Sequence, residues 1–572
     1  MKQLKNKWVV AALLLLLSFI FYGNSLQNDF SLDDSYLLKE VPNREVTLSD
    51  VLHPFKKRFD FVDYRPVPVS SFIFEKWLTG ENDPHFSHFI NFALYAALCF
   101  SVFLVITTFS IEGSWWLAIG ITLLFLAHPS HSNVVNNLKS RDNLFSMLFG
   151  TLAFYFAMLP VNSGRDYWKI VAAFLLINAA LVSKLDAMGF IPIIALGMYL
   201  FGSKRSLPRI GFIFLLLMGS FLFIREGLIE KYIPVQSLNE PIVFTENPVV
   251  THPEKSYAFS QSITTLWEYI KMMVWPKGYF FYYGYDMVPL LPLSDFRVIA
   301  LLCLHLVVGG MAVYALIKKR PLVCFGICSF YAALAYCANL QQPVAGIIAD
   351  RYAFIASLGF CVLLASVLLR FSKQPFLQKY FEPKSDPRKK KEKPLAADPV
   401  WVKPFLVLTA AVALVYFPFT HSRNADWKNI FSLLEADMPH LERSFEANRI
   451  AATQYINKAS TMNNPNDRNY GFQKALQYSK QANALYPKMI HEQESEGICY
   501  YMLGMTDSCF NHFARVRAIF DTTSVGWEMT GDIFAMRKQN DSALHAYERV
   551  LQLDPENEQA RMKLKTLERS KQ

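Results

Sequence analysis

Apolar runs crowd the chain up to about residue 420. They lie near 8–25, 87–109, 115–132, 143–160, 167–183, 187–202, 207–225, 297–316, 321–339, 350–370 and 402–420. A helix needs roughly 20 mostly apolar residues to cross a bilayer, so the pattern predicts about eleven spans. After Trp427 the long runs stop and apolar residues recur at helical spacing, which predicts a soluble helical domain. The expected fold class is all-α: a polytopic helical bundle over 1–425, then a helical domain over 426–572. The first run follows the basic start MKQLKNK without a small-x-small cleavage site, and it reads as an uncleaved span rather than a signal peptide. The stretch 264–276, TTLWEYIKMMVWP, is apolar but short and is broken by Glu268 and Lys271. It reads as an interfacial or re-entrant helix.

Charge sets the expected orientation. Lys2, Lys5 and Lys7 precede the first run, Lys204, Arg205 and Arg209 follow the sixth, and Lys318, Lys319 and Arg320 follow the eighth. The segment KSDPRKKKEKP, 384–394, precedes the last. With the N-terminus in the cytoplasm, all four clusters fall on the cytoplasmic side. The first outer loop is then 26–86, a second outer region is 226–296, and the basic cytoplasmic loop is 371–401. The unusual polar residues gather on the outer face, in HPSHSNVVNNLKSRDN at 128–143, SKLD at 183–186, RE at 225–226 and QQPVAGIIADR at 341–351. Ionisable residues at such boundaries mark functional sites.

The final domain repeats. Ala475, Cys509 and Ala543 are 34 residues apart, as are Ala482, Val516 and Val550, and Pro487, Asp521 and Pro555; Gly497 and Gly531 share the period. The order Trp527, Gly531, Phe534, Ala543, Tyr547, Pro555 follows the tetratricopeptide pattern, an α-solenoid of helix pairs. About three units are expected, the first with a longer internal loop around NNPNDRN.

Composition narrows the function. The chain is 52% hydrophobic and 18% charged, with a net charge of +10. The excess sits in short loops and no recognition motif accompanies it, so nucleic acid is not an expected partner. Cys99, Cys303, Cys324, Cys328, Cys337 and Cys361 lie in apolar runs and read as buried packing. Spacing does not say whether Cys499 and Cys509 pair. No P-loop and no GxGxxG occurs, which leaves nucleotide-driven transport without support.

The candidate chemistry begins with Asp33 and Asp34 in FSLDDSYLL. Adjacent carboxylates raise one another's proton affinity, and a carboxylate so placed can act as a general base. An acidic cap is the other reading. Arg65, Lys139, Arg141, Lys184, Arg225 and Arg351 lie near the outer boundary, where cations can hold a phosphate leaving group; snorkelling or pairing with neighbouring charges is the alternative. His128 and His131 in HPSH, like the pair in HFSH, lack a third ligand at metal-site spacing. They read as hydrogen-bonding groups at helix ends.

The ordered motifs FSLDD, YRPV, HFSHFINFALY, AHPSHSNVVNNLKSRDNL, SKLDAMGFIP, ENPVV, ADRYAFIASLGF and RNADWKNIFSLLEADMP, followed by the repeats, resemble the transmembrane and tetratricopeptide-repeat O-mannosyltransferases and their bacterial relatives, within glycosyltransferase superfamily C. The resemblance covers nearly the whole chain. It implies transfer of a sugar from a polyprenyl-phosphate carrier to Ser or Thr of an exported protein, with inversion. It implies Asp33 as base with Asp34 beside it, Arg141, Lys184 and Arg351 at the donor phosphate, and repeats that bind acceptor polypeptide. Arg65 and Arg225 complete the expected cation set, with His128, His131, Asp142, Asp186 and Asp350 in support. A divalent metal is left open and no other cofactor is implied. Where such proteins carry Lys-Glu, this chain has Lys184-Leu185-Asp186, which on a helix would turn the acid by about 100°. The expected location is a bacterial plasma (inner) membrane, with the N-terminus cytoplasmic and the repeats periplasmic. Transfer of a whole lipid-linked glycan or to a lipid or surface polymer, and a non-enzymatic scaffold, are the alternatives.

Overall fold

The computed structural model describes residues 6–56, 64–202, 207–224, 243–252, 254–374 and 399–571. Among them there is no strand. Lys2, Lys5, Lys204, Arg205, Arg225 and the segment 384–394 lie outside the described residues. Contacts divide the chain into two compact units.

Unit 1 comprises Met1–Ile242, Val249–Phe281 and Leu290–Leu433. Its first helices are α1 (Lys7–Tyr22), α2 (Asp34–Glu40), α3 (Pro66–Thr79), α4 (Pro84–Thr107) and α5 (Ser114–Ala127). Then come α6 (Ser132–Asn136), α7 (Arg141–Met158), α8 (Trp168–Ser183), α9 (Phe190–Phe201) and α10 (Leu207–Leu222). The rest are α11 (Lys255–Val274), α12 (Phe296–Ile317), α13 (Pro321–Leu334), α14 (Phe354–Ser372) and α15 (Val402–Asp426). Local chemistry sets their ends. Asn6, Asp83 and Asp295 cap α1, α4 and α12 by accepting from backbone N–H groups of the first turn, which are otherwise unpaired. At the end of α5, His128 turns extended before Pro129, as a residue before proline must.

Each of the eleven apolar runs contains a helix. Six helices among the described residues are long and apolar enough to cross a membrane: Lys7–Gln27, Pro84–Thr107, Gly164–Ser183, Phe296–Ile317, Asp350–Ser372 and Val402–Asp426. Ser114–Ala127, Leu185–Phe201, Leu207–Leu222 and Pro321–Leu334 are apolar but shorter. The protein is a multi-pass membrane protein. Two of the shorter helices have a common cause. At α5 and α9 the helix gives way to a buried turn, Pro129–His131 beyond α5 and Leu185–Gly189 before α9, and irregular backbone at membrane depth is tolerated where protein covers it. Helix α11 is 20 residues long and begins nine residues before the expected stretch. Helices α13 and α14 meet at Gly326 and Gly359, where a Cβ on either would stand within 3 Å of the other's backbone; small residues give such close helix contact in membranes. Cys99, Cys324, Cys337 and Cys361 are buried as expected, Cys328 is half-buried, and Cys303 is exposed on α12.

Unit 2 comprises Val243–Pro248, Tyr282–Pro289 and Leu434–Gln572. Its helices pair as α16 (Phe445–Thr461) with α17 (Pro465–Leu485), α18 (Ile490–Met502) with α19 (Thr506–Ile519) and α20 (Ser524–Met536) with α21 (Asn540–Leu553), followed by α22 (Glu558–Lys571). The recurring glycines have a steric reason. A Cβ at Gly497 would stand 2.2 Å from the Phe513 ring, and one at Gly531 would stand 2.6 Å from the Tyr547 ring. NNPNDRN is not a loop. Asn464 caps α17 and Pro465 is its first residue, a pairing that starts helices; the extra length of the first repeat is helix. The short segments dock through paired groups: Thr245 donates to Glu446 at 2.7 Å, Ser444 donates to the Tyr283 carbonyl at 2.6 Å, and Arg443 meets both oxygens of Asp286 at 3.0 Å. Cys499 and Cys509 are both free and buried.

Candidate active site

The polar motifs of unit 1 converge at one end of its bundle. A buried amide triad marks the junction: Asn28 donates to Asn136 at 2.8 Å, Asn136 to Asn424 at 2.7 Å, and Asn424 to the Phe21 carbonyl at 2.9 Å. It joins the end of α1, the 128–143 segment and the end of α15.

Asp33 and Asp34 differ sharply. Asp34 is 1% exposed. Its two oxygens accept from the backbone N–H groups of Ser31 at 2.8 Å and Lys139 at 2.9 Å. It clamps the loop after α1 to the turn before α7. Burial pushes its carboxyl up to about 7, against those two amides and with the charge of Asp33 adding to the rise. The Asp33 side chain is 34% exposed and pairs with the Lys139 ammonium at 3.0 Å. Burial opposes its charge, but Lys139, Arg351 and Arg65 outweigh it and hold the carboxyl below the usual range. Environments that drive neighbouring carboxylates apart in this way assign them different tasks. Leu32 just before them has φ of 44°, a left-handed conformation that a bulky residue adopts only under constraint.

A chain of charges runs on from Asp33. Arg65 pairs with Asp142. Lys184 donates to Asn143 at 2.7 Å and lies 3.9 Å from Asp142 and 3.7 Å from Asp186. Asn143 in turn donates to Asp142 at 2.7 Å, and Ser146 donates to Asp186 at 3.1 Å. The displaced acid therefore still meets its lysine. Lys184 is extended, with φ of −164°, and a 3₁₀ turn follows; side chains two apart on extended backbone share a face, so the helical turn of 100° does not arise. Arg351 lies where Asp33 and Asp142 act on it, and its guanidinium stands 5.4 Å from the Tyr352 ring centre.

Arg141 requires a correction. Expected at the donor phosphate, it is 0% exposed and all its N–H groups meet protein. It pairs with Glu75, donates to Asn91 at 2.7 Å, Ser71 at 3.0 Å and the Ser87 carbonyl at 2.9 Å, and lies 3.7 Å over the Phe72 ring. No donor is left for a phosphate. Arg225 lies outside the described residues.

His128 and His131 sit at helix ends with both ring nitrogens engaged. His131 meets Tyr95 and Ser357, each at 2.8 Å. His128 meets Ser130 at 2.7 Å and the Met273 carbonyl at 3.2 Å. Asp350 is buried, and its charge acts on Tyr269 and Tyr279. Among the described residues no three His, Cys, Asp or Glu side chains converge as a metal site.

Glu75, Asn143, Tyr352 and the asparagine triad escaped the sequence reading. A lone acid on an otherwise apolar helix, as Glu75 is in SSFIFEKWL, was the available signal, because a buried acid demands a cation.

Human protein O-mannosyl-transferase TMTC4 is 24% identical over 404 residues, covering 61% of this chain and 53% of that protein. Mouse protein O-mannosyl-transferase TMTC3 is 22% identical over 513 residues, covering 84% of this chain and 51% of that protein. The chain is similar to protein O-mannosyl-transferases. It spans about half the length of these curated relatives. No family model matches it. Among solved structures, the archaeal oligosaccharyltransferase AglB from Archaeoglobus fulgidus, in complex with an inhibitory peptide and a dolichol-phosphate, has a TM-score of 0.39 at 13% identity, covering 82% of this chain and 59% of that one. The TPR domain of P58(IPK) has a TM-score of 0.19 at 10% identity, covering 71% and 95%.

Proposed function

We propose that the protein is a membrane glycosyltransferase that moves one hexose, mannose or a close relative, from a polyprenyl-phosphate carrier to Ser or Thr of exported proteins, with inversion. The observation that carries this is Asp33: an ionised, partly exposed carboxylate held among Lys139, Arg65 and Arg351 at a bundle end. In the reaction the acceptor oxygen attacks the anomeric carbon as the bond from that carbon to the phosphate oxygen breaks. The electron pair of the broken bond leaves with the polyprenyl phosphate. Asp33 takes the hydroxyl proton. A weakly basic carboxylate suffices, because the hydroxyl becomes strongly acidic only as the new bond forms. Lys184 and Arg351 offset the charge that grows on the leaving phosphate. Arg65 and Asp142 hold the cluster together. Asp34, Asp186 and the two histidines shape its walls. No step is routed through a divalent ion. The repeats of unit 2 receive the acceptor polypeptide, and the chain sits in a bacterial inner membrane with its N-terminus cytoplasmic and unit 2 periplasmic.

The test is complementation. Cells lacking the protein receive wild type or Asp33→Asn at matched membrane abundance, and exported proteins are weighed intact. A hexose-sized increment on Ser or Thr with wild type alone supports the proposal. Equal restoration by both removes Asp33 from the chemistry. A much larger increment indicates transfer of a whole glycan, and the absence of any dependent glycan supports a scaffold.

A further inference from the structure

Tyr352 stands between two cations that repel each other. The Lys184 ammonium lies 5.5 Å from its ring centre and the Arg351 guanidinium 5.4 Å. The 3₁₀ turn Asp350–Ala353 carries Arg351 and Tyr352, while Lys184 arrives from the end of α8. Two elements far apart in sequence thus meet on one ring. The lysine has a second tether in Asn143 at 2.7 Å. Asp33 and Asp142 act on Arg351 from longer range, and Lys184 lies 3.9 Å from Asp142 and 3.7 Å from Asp186. An aromatic face attracts cations. The ring therefore draws two positive groups to one place. Such a pair fits a phosphate monoester or diester.

We infer that Tyr352 is a positioning residue that sets Lys184 and Arg351 as a pair for the donor phosphate. This rests on the proposed polyprenyl-phosphate donor. Tyr352→Phe keeps the ring and both cation contacts. Tyr352→Leu releases both cations.

The experiment uses the full-length protein in detergent micelles. Binding of undecaprenyl phosphate, which carries no sugar, is titrated first, and the donor KM and kcat are measured alongside. Tyr352→Leu is expected to weaken binding and raise the donor KM about tenfold or more, and Tyr352→Phe to bind as the wild type does, with kcat changing far less. Thermal unfolding of the variants checks that they fold. Should Tyr352→Leu not fold, Tyr352→Met takes its place. Unchanged phosphate binding in the folded variant that lacks the ring overturns the role of Tyr352 while leaving the donor assignment standing. A fall in kcat with unchanged binding also overturns it. Failure of the wild-type protein to bind undecaprenyl phosphate overturns both.

Discussion

Two arginines at the same end of the bundle have opposite surroundings. Arg141 is sealed: Glu75, Asn91, Ser71, the Ser87 carbonyl and the Phe72 ring occupy its guanidinium. Arg351 rests on one aromatic ring and feels the carboxylates of Asp33 and Asp142 without closing on either. The same side chain serves as an internal brace in one place and as spare positive charge in the other. What separates them is the number of N–H donors already taken, which proximity to a motif does not reveal. The neighbouring carboxylates divide in the same manner, Asp34 fastened by two amides and Asp33 partly exposed beside Lys139.

The largest effect should come from Arg141→Ala. It strands Glu75 in the interior at a cost of about 3–5 kcal/mol, a large share of typical stability, so the protein should fail to accumulate in the membrane. Arg141→Met with Glu75→Leu should recover much of that loss; no recovery in thermal unfolding would mean that Arg141 does more than brace. Arg351→Gln should do the opposite, lowering glycosyl transfer roughly 10²- to 10³-fold while the unfolding temperature holds. A normal rate would erase the contrast between the two arginines. Asp34→Asn keeps one acceptor and loses the other, and should destabilise by about 1–3 kcal/mol with transfer per folded molecule little changed.

The smallest effect concerns unit 2. Burial raises the Glu492 carboxyl to about 7, against the pull of Arg449 and with Glu446 adding to the rise. A carboxyl raised on folding favours the folded state at acid pH, and that contribution fades as pH climbs through its folded value. Unit 2 should therefore melt earlier at pH 8 than at pH 6, and Glu492→Gln should flatten the slope. An unchanged slope would place the titration elsewhere.

The sequence carried much of this. Hydrophobic runs foretold a helix in every expected place, and the 34-residue period foretold the helix pairs, because both follow from local periodicity. Asp33 and Lys139 were legible as a carboxylate and a cation in polar loops. The fate of Arg141 was not, since its partner Glu75 lies 66 residues away on another helix. Nor was the accommodation of Asp186, which depends on the backbone angles of Lys184 rather than on residue spacing. NNPNDRN misled because Asn and Pro mark loops and helix starts alike.

The asparagine triad has a consequence for biogenesis. Asn136 meets Asn424 across 288 residues. At ribosomal speeds of about 5–20 residues per second, the first partner waits roughly 15–60 s for the last. During that interval Asn28 and Asn136 can satisfy each other, but the knot is tied only when the final helix inserts. A nascent chain halted before α15 would leave the contact between Asn136 and Asn424 unmade, so the amide triad closes only late in synthesis.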